Sequence, residues 1–143
     1  MRAVFDTNVV ISGLLSGTGT CGRLLDFVLE SVVVLCLDAR ILEEYREVSR
    51  RPELEVAVTD VDRVLDFLES NGQVTVALPL RVTLPDADDL PWLEVAASAG
   101  VPLVTGNTRH YPGRSRSGVE VLSPRQFLDR LGGGPAASSS SPV

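Results

Sequence analysis

The strongest constraint on this chain is a pair of apolar runs that do not alternate, Ala3-Val4-Phe5 and residues 32–37, Val-Val-Val-Leu-Cys-Leu. A strand with one wet face alternates apolar and polar residues. A continuous run is covered on both faces, as strands of a parallel sheet are. Between and after these runs, apolar residues return at helical spacing. Leu24, Leu25 and Val28 share one face, and so do Val61, Val64, Leu65 and Leu68.

Strands at 2–5, 32–37, 73–78, 101–105 and 119–122 therefore alternate with helices at 9–15, 23–29, 39–49, 60–70, 88–99 and 124–131. Local signals bound several of these helices. Thr7 or Asn8 serves as cap for the first, Asp38 for the third, and Ser123 with Pro124 opens the last. Gly100 closes the fifth. The pattern predicts an α/β fold, a three-layer α/β/α sandwich with a mainly parallel central sheet, over residues 1–131. Residues 132–143, rich in Gly, Ser and Pro, cannot bury apolar surface and are expected to be a disordered tail.

Several functional classes drop out. No apolar run approaches the roughly 20 residues of a membrane span, and Asp6 comes too early for a signal peptide. A cytoplasmic protein with no membrane partner is expected. Two cysteines and one histidine, with no Cys-x-x-Cys pair, are too few for a structural zinc site. A net charge of −6 argues against binding nucleic acid through bulk positive charge. It does not exclude binding at a metal site, because a bound cation neutralises the carboxylates gathered around it.

The acids fall in an informative order on these elements. Asp6 lies just past the carboxyl end of the first strand. Glu43 and Glu44 lie on the helix after the second strand. Asp86, Asp88 and Asp89 lead into the helix before the fourth, and Asn107 follows the fourth strand. Ligands of open α/β sheets bind beyond the carboxyl ends of strands. Each cluster also has a plainer explanation: a helix cap at Asp6, an acidic first turn at 86–89, a solvated face at Glu43 and Glu44. If they converge, oxygen donors with no lysine anywhere in the chain suit a hard cation such as Mg²⁺ or Mn²⁺.

In this order and spacing, Phe5-Asp6-Thr7-Asn8-Val9-Val10-Ile11-Ser12, the segment 41–52, Asp86-Ala87-Asp88-Asp89-Leu90-Pro91-Trp92-Leu93, Leu103-Val104-Thr105-Gly106-Asn107 and the segment 121–128 resemble the PIN-domain family. The resemblance is greatest to its branch of toxin components of toxin–antitoxin pairs, and it covers residues 1 to about 131. It implies a metal-dependent endoribonuclease using Mg²⁺ or Mn²⁺, with Asp6, Glu44 and Asp89 as catalytic ligands and Glu43 as the register alternative to Glu44. Thr7, Asn8, Ser12 and Thr105, with Asp86 and Asp88, would support them. Asn107 stands where many relatives carry aspartate; it offers a neutral oxygen to the metal and makes one ion a better expectation than two.

Arg109, Arg114 and Arg116 are candidates for RNA phosphates, although a solvated loop explains them as well. His110 reads as a packing or loop residue rather than a general acid. An RNA substrate, a cognate antitoxin and a homodimer are the partners that the resemblance implies. Two other readings remain. A haloacid-dehalogenase-type phosphatase needs a second aspartate two residues after the first, and Asn8 stands there. A non-catalytic PIN-like module that binds RNA or a partner fits Asn107 and the acidic charge.

Overall fold

The computed structural model describes residues 1–132. Five strands, β1 (Arg2–Phe5), β2 (Val34–Leu37), β3 (Gln73–Val74), β4 (Leu103–Val104) and β5 (Val121–Leu122), form one sheet in the order β3-β2-β1-β4-β5. All four pairings are parallel. Six helices connect and flank them: α1 (Thr7–Leu15), α2 (Thr20–Leu29), α3 (Ala39–Ser49), α4 (Val58–Asn71), α5 (Leu90–Ala99) and α6 (Pro124–Leu131). This is the expected three-layer α/β/α arrangement. The tail falls outside the described residues except for Gly132.

The sheet order decides where a site can form. From β1 the chain steps one way to β2 and β3, then returns through α5 to β4 on the other side of β1. With right-handed crossovers, those two directions send the connections to opposite faces of the sheet. In sheets of this kind the ligand crevice lies at that reversal, here beyond the carboxyl ends of β1 and β4. The register sharpens this: Phe5 pairs with Val104, so the next residues, Asp6 and Thr105, stand abreast at the mouth of that crevice.

Helix boundaries follow local chemistry. Asp38 caps α3 by accepting from the Ile41 N–H at 3.1 Å. Ser123 and Gln126 form a reciprocal capping box at α6, with bonds of 3.1 and 2.8 Å. Gly100 ends α5 at φ 68, where a side chain would be strained. The first helix differs from expectation: its cap is Asp6, not Thr7 or Asn8, and Thr7 is already helical. The acid before the helix is thus both its cap and the strand-end residue.

The strands are shorter than their apolar runs. Val32 and Val33 instead wrap the end of α2, their N–H groups donating to the Phe27 carbonyl. The expected strand at 73–78 keeps only Gln73–Val74 and one further bond from Thr75 N–H to Leu37 O at 2.8 Å. The Leu78 and Leu80 N–H groups turn to Ser98 Oγ and Glu94 Oε2 of α5, at 2.9 and 3.0 Å. Glu94 is itself buried and paired with Arg40 at 2.9 Å, so α3, α5 and this segment are tied at one point.

The turn between α1 and α2 packs against Gly22, where an added Cβ would collide with the carbonyl oxygens of Ser16 and Gly17. Backbone oxygens cannot rotate away as a flexible side chain can. Replacing Gly22 with alanine is expected to destabilise the fold by about 1–3 kcal/mol, measured as a lower urea midpoint with an unchanged slope.

Candidate active site at the carboxyl edge of the sheet

Asp6 is buried, 5% exposed, at the centre of that edge. Its Oδ1 accepts the Thr7 N–H at 2.8 Å. Its Oδ2 accepts two hydroxyls, from Thr105 at 2.9 Å and from Tyr111 at 3.0 Å. Burial raises the Asp6 carboxyl above its usual range, against these three hydrogen bonds and the neighbouring His110. The Tyr45 hydroxyl donates to the Phe5 carbonyl one residue earlier. Both tyrosines of the chain therefore close around this strand end, each fully buried.

The β4 side is built in parallel. The Thr105 hydroxyl that donates to Asp6 also accepts the Asn107 N–H at 3.1 Å. Asn8 accepts the Gly106 N–H at 2.8 Å and lies 3.5 Å from Thr105 Oγ1 through its amide nitrogen. It steadies the β4 end and reaches Asp6 only through Thr105. Thr7 contributes its backbone N–H, while its hydroxyl is buried without a partner among the described residues. Ser12 is exposed, farther along α1, and makes no hydrogen bond to Asp6.

Glu44 and Asp89 approach from two other elements. Burial is the first cause that raises the Glu44 carboxyl; the charges of Glu47, Asp6 and Asp88 add to it, with Arg51 opposing. Glu44 is half-buried, whereas Glu43 is exposed, so the register alternative turns to solvent. Asp89 is pushed up to about 6 by burial and then by the charge of Asp6, with His110 opposing. Asp6 thus acts electrostatically on both other acids. Asp86 and Asp88 are exposed; the Asp86 carboxylate caps the turn by accepting the Asp88 N–H at 2.9 Å.

His110 is the group that reading the sequence undervalued. Its Nδ1 lies 2.8 Å from Asp89 Oδ2, so the only histidine of the chain meets one of the candidate acids. Nothing in the sequence signals a role for Tyr111. A tyrosine after a histidine carries no local sign that its hydroxyl will cross to a residue 105 positions away. Of the three loop arginines, Arg109 and Arg114 are exposed. Arg116 is half-buried and donates through Nε to the Tyr111 carbonyl at 2.7 Å, so part of its role is to brace the loop.

Oxygen donors from three elements, without lysine, match the chemistry of a hard divalent cation. The side chains as they stand do not close into a cage: among the described residues, no group of three or more His, Cys, Asp or Glu side chains is assembled to hold a metal. Asn107 is half-buried beside the edge and brings a neutral oxygen.

The class defined by this fold and edge is a parallel α/β/α domain with a buried carboxylate at the carboxyl end of its central strand. The family model described as PIN domain matches residues 2–109, and the chain belongs to that family. The PIN domain is a nuclease-type fold. The chain is also similar to the uncharacterized protein MJ1680 of Methanocaldococcus jannaschii, 28% identical over 142 residues and covering 92% of each chain.

The shift at Asp89 has a thermodynamic consequence. Below pH about 4 the group is protonated folded and unfolded, and contributes nothing. Between about 4 and 6 the folded chain keeps a proton that the unfolded chain has lost, so stability falls as pH rises; above about 6 the penalty is complete. Asp89→Asn should therefore be more stable than wild type at pH 7.5, on the order of 1–2 kcal/mol. The gain should vanish near pH 4, as followed by thermal unfolding at both pH values.

Proposed function

We propose that this protein is a Mg²⁺- or Mn²⁺-dependent endoribonuclease that hydrolyses RNA phosphodiester bonds. The observation that carries the reading is the buried Asp6 carboxylate at the β1–β4 crevice, whose charge is felt by both Glu44 and Asp89. Asp6, Glu44 and Asp89 are the groups that would hold the ion, with Asn107 as a neutral fourth oxygen. Because Asn107 brings no charge, one ion is favoured over two. When bound, such an ion supplies Lewis acidity toward a phosphate and a water.

The chain's own residues do the rest. Thr7 N–H and the Thr105 hydroxyl keep the Asp6 carboxylate in one orientation, and His110 does the same for Asp89. Asn8 and the Asn107 N–H fix Thr105 in turn. Asp86 shapes the turn that presents Asp89, with Asp88 between them, while Ser12 is exposed on α1. Arg109 and Arg114, exposed on a loop without any acid from 105 to 119, would be the groups to meet RNA phosphates, and Arg116 steadies that loop.

The resemblance to the toxin branch supports a role as the toxin of a toxin–antitoxin pair, acting in the cytoplasm and held by a cognate antitoxin. A homodimer belongs to the same proposal. Among the described residues no helix is long and apolar enough to cross a membrane.

The test is cleavage of a mixed RNA pool with Mn²⁺. Asp6→Asn, Asp89→Asn and Glu44→Gln should each lower the rate by about 100-fold or more, while Glu43→Gln should leave it close to wild type. Removal of the ion by a chelator should stop cleavage. A wild-type protein that binds RNA yet neither binds Mn²⁺ nor cleaves would instead support a non-catalytic PIN-like module.

A further inference from the structure

We infer that Tyr111 is a positioning residue for Asp6, holding its carboxylate so that a single acceptor position stays free. A carboxylate has about four lone-pair sites, two on each oxygen. The Thr105 and Tyr111 hydroxyls take both sites of Oδ2, and the Thr7 N–H takes one on Oδ1. One site on Oδ1 remains. Asp6 therefore offers the crevice one oxygen rather than a two-oxygen clamp.

The chain around Tyr111 is arranged to hold that hydroxyl still. Pro112 keeps Tyr111 out of the helical region, and Tyr111 sits at φ −123 and ψ 77. Its N–H donates to the Thr108 carbonyl at 3.0 Å and its carbonyl accepts Arg116 Nε at 2.7 Å. The ring is fully buried. A phenol fixed at both backbone groups and packed on all sides delivers its O–H along one direction. Charge-assisted hydrogen bonds of this type are stronger than neutral ones, so the loss of this one should be felt at Asp6.

What the oriented Asp6 does rests on the nuclease reading above; that Tyr111 orients it does not. The experiment uses the full chain as wild type, Tyr111→Phe, Asp6→Asn and the double variant. Circular dichroism first verifies that each is folded. The carboxyl carbon of Asp6 is then followed by NMR at pH 7.5 without metal. Tyr111→Phe should shift that resonance, and Thr105→Val should shift it too; an unmoved resonance in Tyr111→Phe overturns the inference.

Calorimetry with Mn²⁺ alone forms the second arm. Tyr111→Phe should bind about tenfold more weakly than wild type, and should cause no further loss once Asp6 is asparagine. An equal loss in both backgrounds would mean that the hydroxyl acts elsewhere, and would also overturn it. If wild type binds no Mn²⁺ and cuts no RNA, the nuclease reading falls while the carboxyl resonance still decides the role of Tyr111.

Discussion

The Asp6 carboxylate is buried at the end of the central strand with no arginine in contact. An isolated buried charge is costly, and the fold meets the cost with neutral donors instead of a salt bridge. Each donor comes from a different part of the chain: the start of α1, the end of β4, and the loop after it. The parallel pairing of Phe5 with Val104 is what lets these parts converge. A shift of that register by one residue would point Thr105 away and leave the carboxylate short of a donor.

The distribution of arginine bears on the proposed RNA contacts of a chain whose net charge is −6. Arg40, Arg46, Arg50, Arg51, Arg125 and Arg130 all pair with carboxylates. Apart from Arg40 with the buried Glu94, these pairs are largely exposed and add little stability, but they keep those cations from contributing a free positive field. The stretch 105–119 has no acid of its own, and its three arginines, like Arg2, Arg23, Arg63 and Arg81, form no ion pair among the described residues. Net charge alone describes neither situation.

Local chemistry was readable from the sequence; long-range chemistry was not. Helices α3 and α6 begin and end as the sequence indicates, because Asp38, Ser123 and Pro124 act on their own neighbours. The third strand is shorter than the alternation at 73–78 predicts, because Ser98 and Glu94 draw the backbone of Leu78 and Leu80 away. At the candidate site, the resemblance points to Asp6, Glu44 and Asp89, and Glu44 is half-buried where Glu43 is exposed. Tyr111 and His110 act through contacts made only after folding, and neither has a local signature.

The connection between β4 and β5 carries Asn107, Arg109, His110, Tyr111, Arg114 and Arg116 within ten residues. Groups that hold the two buried-edge acids and groups that face solvent are thus placed on one short piece of backbone, braced by Arg116. Evolution cannot exchange this loop for a new surface without also disturbing the acids behind it. Variation in what the protein contacts should therefore arise by single substitutions at the exposed arginine positions, with loop length and the His110-Tyr111 pair inherited as a block.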